Sequence, residues 1–148
     1  MSHSERRVVI LGVAASDSHA VANHLIAHAL RGVGFEVENL GTCTPVEEFA
    51  DACDRHPDAE AVIIGSLNGH VHEDLRDLPA AREAGRITCP VIVGGNLSVG
   101  SKKDPRDLER LHELGVDRIL GDPGQLVAVL DELRAARTAA ERQLLVAS

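Results

Sequence analysis

Short apolar runs rich in β-branched residues recur along the chain, each followed by a longer stretch of helical period, and this alternation narrows the possible folds most. The first run, Val8-Val9-Ile10-Leu11-Gly12-Val13, is continuously apolar, as a strand covered on both faces must be. A polar turn, Ala15-Ser16-Asp17-Ser18, leads into a helix predicted over 19–33. Its stripe is Val21, Leu25, Ala29 and Val33, four apart, widened by Ile26 and Leu30. Gly32 and Gly34 mark its exit. The pattern then repeats. Residues 35–40 read as a strand with one partly wet face, closed by Gly41. Pro45 suits the first turn of a helix running to about His56, with Glu47 and Glu48 at its positive end. Residues 60–65 form the third strand, followed by a helix through Leu75, Leu78, Ala81 and Ala84 that kinks or starts near Pro79. The fourth strand is 89–94, with a helix over 105–114 after it. A short fifth strand, 116–120, precedes a last helix that starts near Gly124 and carries Leu126, Val129, Leu130 and Leu133 on one face.

Five βα units in succession predict a Rossmann-like (flavodoxin-like) α/β fold: a five-stranded parallel sheet with helices on both faces. The 148 residues suit one domain. Residues 1–6 are expected as a flexible N-terminus, 7–138 as the domain and 139–148 as a C-terminal tail. Ligands of such sheets bind beyond the carboxyl ends of the strands, where strand order reverses. The candidate site is therefore confined to loops beginning near Ala14, Gly41, Ser66, Gly94 and Gly121.

Composition removes several functions. With two Phe and neither Tyr nor Trp, the chain lacks rings to stack on bases or on a flavin. Its 15 basic and 23 acidic residues give a net charge of −8, which repels a phosphate backbone, so no nucleic-acid partner is expected. The first apolar stretch, from Val8 to Ala14, is too short for a signal-peptide core or a bilayer span. Cys43, Cys53 and Cys89 are an odd number without CxxC spacing, so a reducing, cytoplasmic setting without a disulfide framework or membrane contact is expected. The loops exclude more. Gly12-Val13-Ala14-Ala15-Ser16-Asp17 is not the GxGxxG turn of a dinucleotide site, and no P-loop lysine follows a glycine ahead of Ser or Thr. A receiver-type phosphorylation site fails because the third strand ends in Gly65-Ser66 and the fifth in Gly121-Asp122.

The first loop retains Asp17-Ser18-His19. A carboxylate two residues ahead can hold one imidazole nitrogen and leave the other facing outward, the arrangement that orients a metal-ligating histidine. The same residues also suit a helix cap beside a surface histidine. Their place at the crevice end of the first strand favours the ligand reading.

The stretch Asp17-Ser18-His19-Ala20-Val21-Ala22-Asn23 resembles the cobalamin-binding signature of the B12-dependent mutases. The resemblance is greatest to the glutamate mutase (methylaspartate mutase) small-subunit family. It continues through Gly65-Ser66-Leu67-Asn68-Gly69 and Val93-Gly94-Gly95-Asn96, and spans roughly Val8 to Leu133. The family pattern is Asp-x-His-x-x-Gly, then Ser-x-Leu, then Gly-Gly. The resemblance implies adenosylcobalamin as cofactor, with His19 as lower axial cobalt ligand and Asp17 as its hydrogen-bonded partner, between Ser16 and Ser18. It implies that Gly94 and Gly95 admit the nucleotide tail between the first helix and the sheet, with Asn96 near the cofactor's periphery. Ala22, Gly65, Ser66, Leu67, Asn68, Gly69, Asp122, Pro123 and Gly124 complete the implied binding set. The chain then has no catalytic residue of its own. It works with a large barrel-type mutase subunit that clamps the corrin and converts L-glutamate to threo-3-methylaspartate. The sequence departs from the pattern at Ala22, where the family has glycine, and at Gly65, where it has serine, with Ser66 adjacent. Asn68 stands where these small subunits usually have tyrosine. A stand-alone corrinoid carrier or sensor, and a member that binds only a partner, are the alternatives.

Other residues carry less. Gly94-Gly95-Asn96 also suits a tight turn. His24 and His28 have a metal-gripping spacing without an evident third ligand. His70 and His72 fall in the third loop, either lining the site or solvated, and Lys102 and Lys103 read as a solvated turn. The cysteines are expected to be structural.

Overall fold

The computed structural model describes residues 7–14, 20–66, 71–94, 105–121 and 123–147. Strands β1 (Arg7–Val13), β2 (Phe35–Asn39), β3 (Ala61–Gly65), β4 (Val91–Gly94) and β5 (Arg118–Leu120) alternate with helices. These are α1 (Val21–Gly32), α2 (Val46–Arg55), α3 (Val71–Asp74), α4 (Leu78–Glu83), α5 (Pro105–Leu114) and α6 (Leu126–Ala147). All strand pairs are parallel, in the order β2-β1-β3-β4-β5. The expected Rossmann-like sheet is present, and its order reverses at β1.

Because strand side chains alternate, β1 feeds two cores. Val8 and Ile10 pack with Phe49 of α2, Leu78 of α4 and Leu111 of α5. Val9 and Leu11 pack on the other face with Ala27 and Leu30 of α1 and Leu126 and Leu130 of α6. Burial on both faces is why β1 reads as an unbroken apolar run. The amino ends of the strands are held by guanidinium groups. Arg7 forms paired 2.8 Å bonds to Glu60 and a 2.7 Å bond to Asp131, with its guanidinium 4.5 Å from the centre of the Phe35 ring. Arg82 donates to Gly115 O at 2.7 Å and to Cys89 O at 3.0 Å.

The structure corrects two expectations. Helix α1 does not bury the stripe of Val21, Leu25, Ala29 and Val33: Val21, Leu25 and Val33 are 74%, 65% and 60% exposed, and Ala29 is exposed. It buries Asn23, Ala27 and Leu30 instead. Residues four apart drift about 40° round an α-helix at each step, so a stripe of four spreads over about 120° and defines no single face. Asn23 can lie on the buried face because Asn39 supplies a hydrogen bond there. Second, the helix after β3 is two short ones, the second starting next to Pro79, in line with the restart that proline favours. Helix α6 continues through residues 139–147. Among the described residues no helix is long and apolar enough to cross a membrane.

Gly12 is required by packing. A Cβ there would lie 2.7 Å from Phe49 Cζ and 2.8 Å from its Cε1, inside the core of the α2 face. Gly12→Ala is expected to lower stability to urea by about 1–3 kcal/mol, with the denaturant slope unchanged.

Candidate functional site

At the carboxyl end of the sheet one row runs across four strands, with one rung on each: Val13 beside Gly65, Gly65 beside Gly94, and Gly94 beside Leu120. Ile63 and Ile92, two residues earlier, belong to the core under α1 and α6, so Gly65 and Gly94 face the same side. Neither glycine has a positive φ. Among the described residues, a Cβ at Gly65 would meet only Gly12 O, at 3.9 Å. One at Gly94 would meet only Leu120 O at 3.4 Å and Leu120 Cβ at 4.0 Å. The packing that demands glycine at position 12 is therefore absent at 65 and 94. Two adjacent rungs without side chains leave a shallow floor between the sheet and the α1–α6 layer, at the point where strand order reverses.

The polar groups around this floor are incompletely paired. The Ser66 N–H donates to Gly94 O at 2.9 Å, fixing the end of β3 against β4. Its side chain is wholly buried, and Oγ has no hydrogen-bond partner among the described residues. Asn23, in the first turns of α1, is 4% exposed and accepts a 2.8 Å bond from Asn39 Nδ2 at its Oδ1. Its own Nδ2 has no partner among the described residues. Asn39 Oδ1 in turn accepts from Gly41 N at 3.0 Å. A buried donor or acceptor left unpaired costs about 1–3 kcal/mol, so both side chains are poised for a partner that brings its own polar atoms.

Backbone bonds hold the rim. Ala14 N donates to Gly65 O at 2.9 Å, Thr44 N to Val13 O at 2.8 Å, and the buried Thr44 hydroxyl to Gly41 O at 3.0 Å. Ala14 is thus pinned between β3 and the loop after β2 just before the chain enters 15–19. Cys43, exposed in that second loop, has φ +53°, a left-handed conformation uncommon away from glycine and concentrated at functional sites. The capping position of α1 is occupied by Ala20, which makes no side-chain cap.

The structure brings Gly65, Ser66 and Gly94 together. Ala22 lies on the exposed side of α1, and Gly124 is exposed in a 3-10 turn, Pro123–Gln125, after β5. Ser16, Asp17, Ser18, His19, Leu67, Asn68, Gly69, Gly95, Asn96 and Asp122 lie outside the described residues, as do His70, Lys102 and Lys103. His24 and His28 are exposed, and among the described residues no three His, Cys, Asp or Glu side chains gather to hold a metal. The sequence reading passed over Asn23, Asn39 and Thr44 as site residues. Their signal was a buried-face position for a polar residue, visible only once the rotation of α1 and the end of β2 were known.

Residues 7–130 match the family model of the B12 binding domain. With the doubly wound sheet and the bare rungs at its reversal point, that match defines the class: a B12 binding domain. The glutamate mutase sigma subunit of Halobacterium salinarum is 40% identical over 134 residues, covering 90% of this chain and 89% of that one. Glutamate mutase sigma subunit 1 of Haloarcula marismortui is 37% identical over 140 residues, covering 92% of each. The chain belongs to the B12 binding domain family and, within it, to the glutamate mutase sigma subunits. Among solved structures, a cobalamin-binding protein from Desulfitobacterium hafniense shares the fold, with a TM-score of 0.71 at 21% identity. The match covers 87% of this chain and 60% of that one.

A floor bared of side chains and buried side chains short of a partner fit a bulky ligand with hydrogen-bonding atoms. They also carry a cost in its absence. Ser66→Ala is expected to stabilise the ligand-free chain by about 1 kcal/mol. Gly94→Ala should add about 0.5–1 kcal/mol, because glycine inside a strand is destabilising. Thermal and urea unfolding of the ligand-free variants measure both.

Proposed function

We propose that this chain is the cofactor-carrying subunit of an adenosylcobalamin-dependent glutamate mutase, acting with a larger, barrel-type catalytic subunit on L-glutamate and threo-3-methylaspartate. The observation that carries this reading is the pair of bare rungs at Gly65 and Gly94 beside the unpartnered Ser66 hydroxyl. Adenosylcobalamin, when bound, supplies a weak cobalt–carbon bond as the source of radical equivalents. This chain's residues bind and orient it. His19 would offer one imidazole nitrogen to cobalt, and Asp17 would accept a hydrogen bond from the N–H of the other, fixing the tautomer and raising the ligand's basicity. Gly94 and Gly95 admit the displaced nucleotide tail, and the Ser66 hydroxyl donates to it where the family's serine would stand at Gly65. Asn23 Nδ2 supplies a second donor on the α1 side. Substrate-binding groups belong to the larger subunit.

Axial ligation is tested by electron paramagnetic resonance of cob(II)alamin bound to nitrogen-15-labelled protein. The splitting from the axial nitrogen should change with the protein's isotope and vanish in His19→Ala, while Asp17→Asn should weaken binding about 10–100-fold. Splitting indifferent to the label would overturn the assignment of His19.

The tail slot has a separate signature. Gly94→Ala and Ser66→Ala, which should stabilise the free chain, should each weaken cobalamin binding by about 5- to 150-fold, the equivalent of about 1–3 kcal/mol. Neither should alter binding of cobinamide, which has no tail. Gly65→Ser has open space for its side chain and should gain affinity only to the extent that Ser66 leaves the tail unpaired. Equal effects on cobinamide and cobalamin would remove these residues from the slot.

A further inference from the structure

Cys53 lies in the last turn of α2 and Cys89 just before β4, at the end of the sheet opposite the bare rungs. Both are buried in the core of the α2 face, with 9% and 8% exposure. The two thiols are hydrogen-bonded to each other. They also share the wall of one surface cavity of about 260 Å³, together with His56, Pro57, Gly85 and Thr88. The pair therefore has what an isolated buried cysteine lacks: a second sulfur in contact and a route from solvent.

The thiols are not equivalent. The hydrogen bond from Cys53 and the nearby Arg82 cation lower the Cys89 thiol against the opposing effect of burial. Cys53, the donor in that bond and itself desolvated, is raised. Cys89 is thus the better thiolate, and Cys53 holds the proton that a second step needs. The cavity mouth selects the reagent. Arg86 at its rim is bonded to Glu47, Asp51 and Asp54 at 2.9, 2.6 and 3.0 Å, three carboxylates around one guanidinium. A net negative rim disfavours anionic oxidants and leaves small neutral ones.

We propose that Cys53 and Cys89 form a hydroperoxide-reactive pair that closes reversibly to a disulfide, a modification site separate from the cofactor site. The Cys89 thiolate attacks one peroxide oxygen and the O–O bond breaks. Cys89 becomes a sulfenic acid, and the hydroxide released takes up the proton that Cys89 had lost and leaves as water. The Cys53 sulfur then attacks the sulfenic sulfur while its proton passes to the departing hydroxyl, so that an S–S bond forms, the S–O bond breaks and a second water leaves. Two thiols are oxidised by two electrons, and one hydrogen peroxide is reduced to two waters. A dithiol reductant reverses the modification.

The test is hydrogen peroxide treatment of the full chain, followed by peptide mapping with and without dithiothreitol. A reducible Cys53–Cys89 linkage should form at least about ten times faster in the folded chain than in urea. Cys53→Ser, lacking the resolving thiol, should accumulate a dimedone-reactive sulfenic acid at Cys89, whereas Cys89→Ser should leave Cys53 unlabelled. Dimedone label confined to Cys43, or a linkage that forms no faster in the folded chain than in urea, would overturn the proposal. Both outcomes are read in the wild-type chain, so the test survives a serine variant that fails to fold.

Discussion

Everything at the functional end of this protein depends on β1 being paired along both edges. Its register with β2 on one side and β3 on the other places Val13 beside Gly65 and carries Ala14 into a bond with Gly65 O. A strand held on both edges and buried on both faces cannot slip by one residue without exchanging its two cores, so its last residue is a fixed point. The chain leaves that point for 15–19, the segment bearing Asp17 and His19.

Glycines separate what the fold needs from what a ligand needs. Gly12, Gly65 and Gly94 all sit in strands at the same end, yet only Gly12 is forced by a neighbour, the Phe49 ring. At Gly65 and Gly94 an alanine fits among the described residues and would strengthen the strands, so the packing of those residues does not explain the bare rungs. The same holds for Ser66 and Asn23, whose side-chain atoms without a partner among the described residues cost stability that an apolar residue would restore. Stability forgone at adjacent positions, all at the strand-order reversal, marks the site independently of any relative. By linkage, a ligand that satisfies these groups stabilises the folded chain, by about 2.7 kcal/mol at a hundredfold excess over its dissociation constant.

The five strands were legible because burial on both faces writes β1, β3 and β4 as nearly unbroken apolar runs, and the observed strands match the expected segments to within a residue or two at each end. The glycines at the carboxyl ends of the third and fourth strands were legible as motif residues, not as neighbours; their contact is a property of register, which no single segment contains. Helix α1 was misread for a physical reason. Its apolar residues outnumber those it can bury, and the choice among them is made by Ala27, small enough for close approach to the sheet, and by Asn23, which finds its partner on β2. Asn39, at the end of β2, is distant in sequence, so Asn23 could not be recognised as a buried-face residue from the helix alone. The outer part of α6 offers the opposite case. Its exposed surface carries Arg137 and Glu141 as an i,i+4 pair at 3.4 Å, a local stabilisation that needs no core stripe.

The two ends of the sheet are built on different principles. At the amino ends, Arg7, Arg82 and Arg86 each reach several acceptors and bind strand starts to helices through charge-assisted bonds. Asp117 joins this network from the head of β5, accepting from Val91 N at 2.8 Å and from Arg82. At the carboxyl ends no guanidinium takes part among the described residues: backbone bonds around Ala14, Thr44 and Ser66 are joined by the neutral side chains of Thr44 and Asn39, and the Ser66 hydroxyl and Asn23 Nδ2 are left short of partners among the described residues. An end that is over-determined can hold a buried pair of thiols without loosening, and it keeps the strands in register while the opposite end exchanges ligand. Unpaired polarity can then be concentrated where binding occurs, because the register that positions the bare rungs is secured at the far end of the same strands.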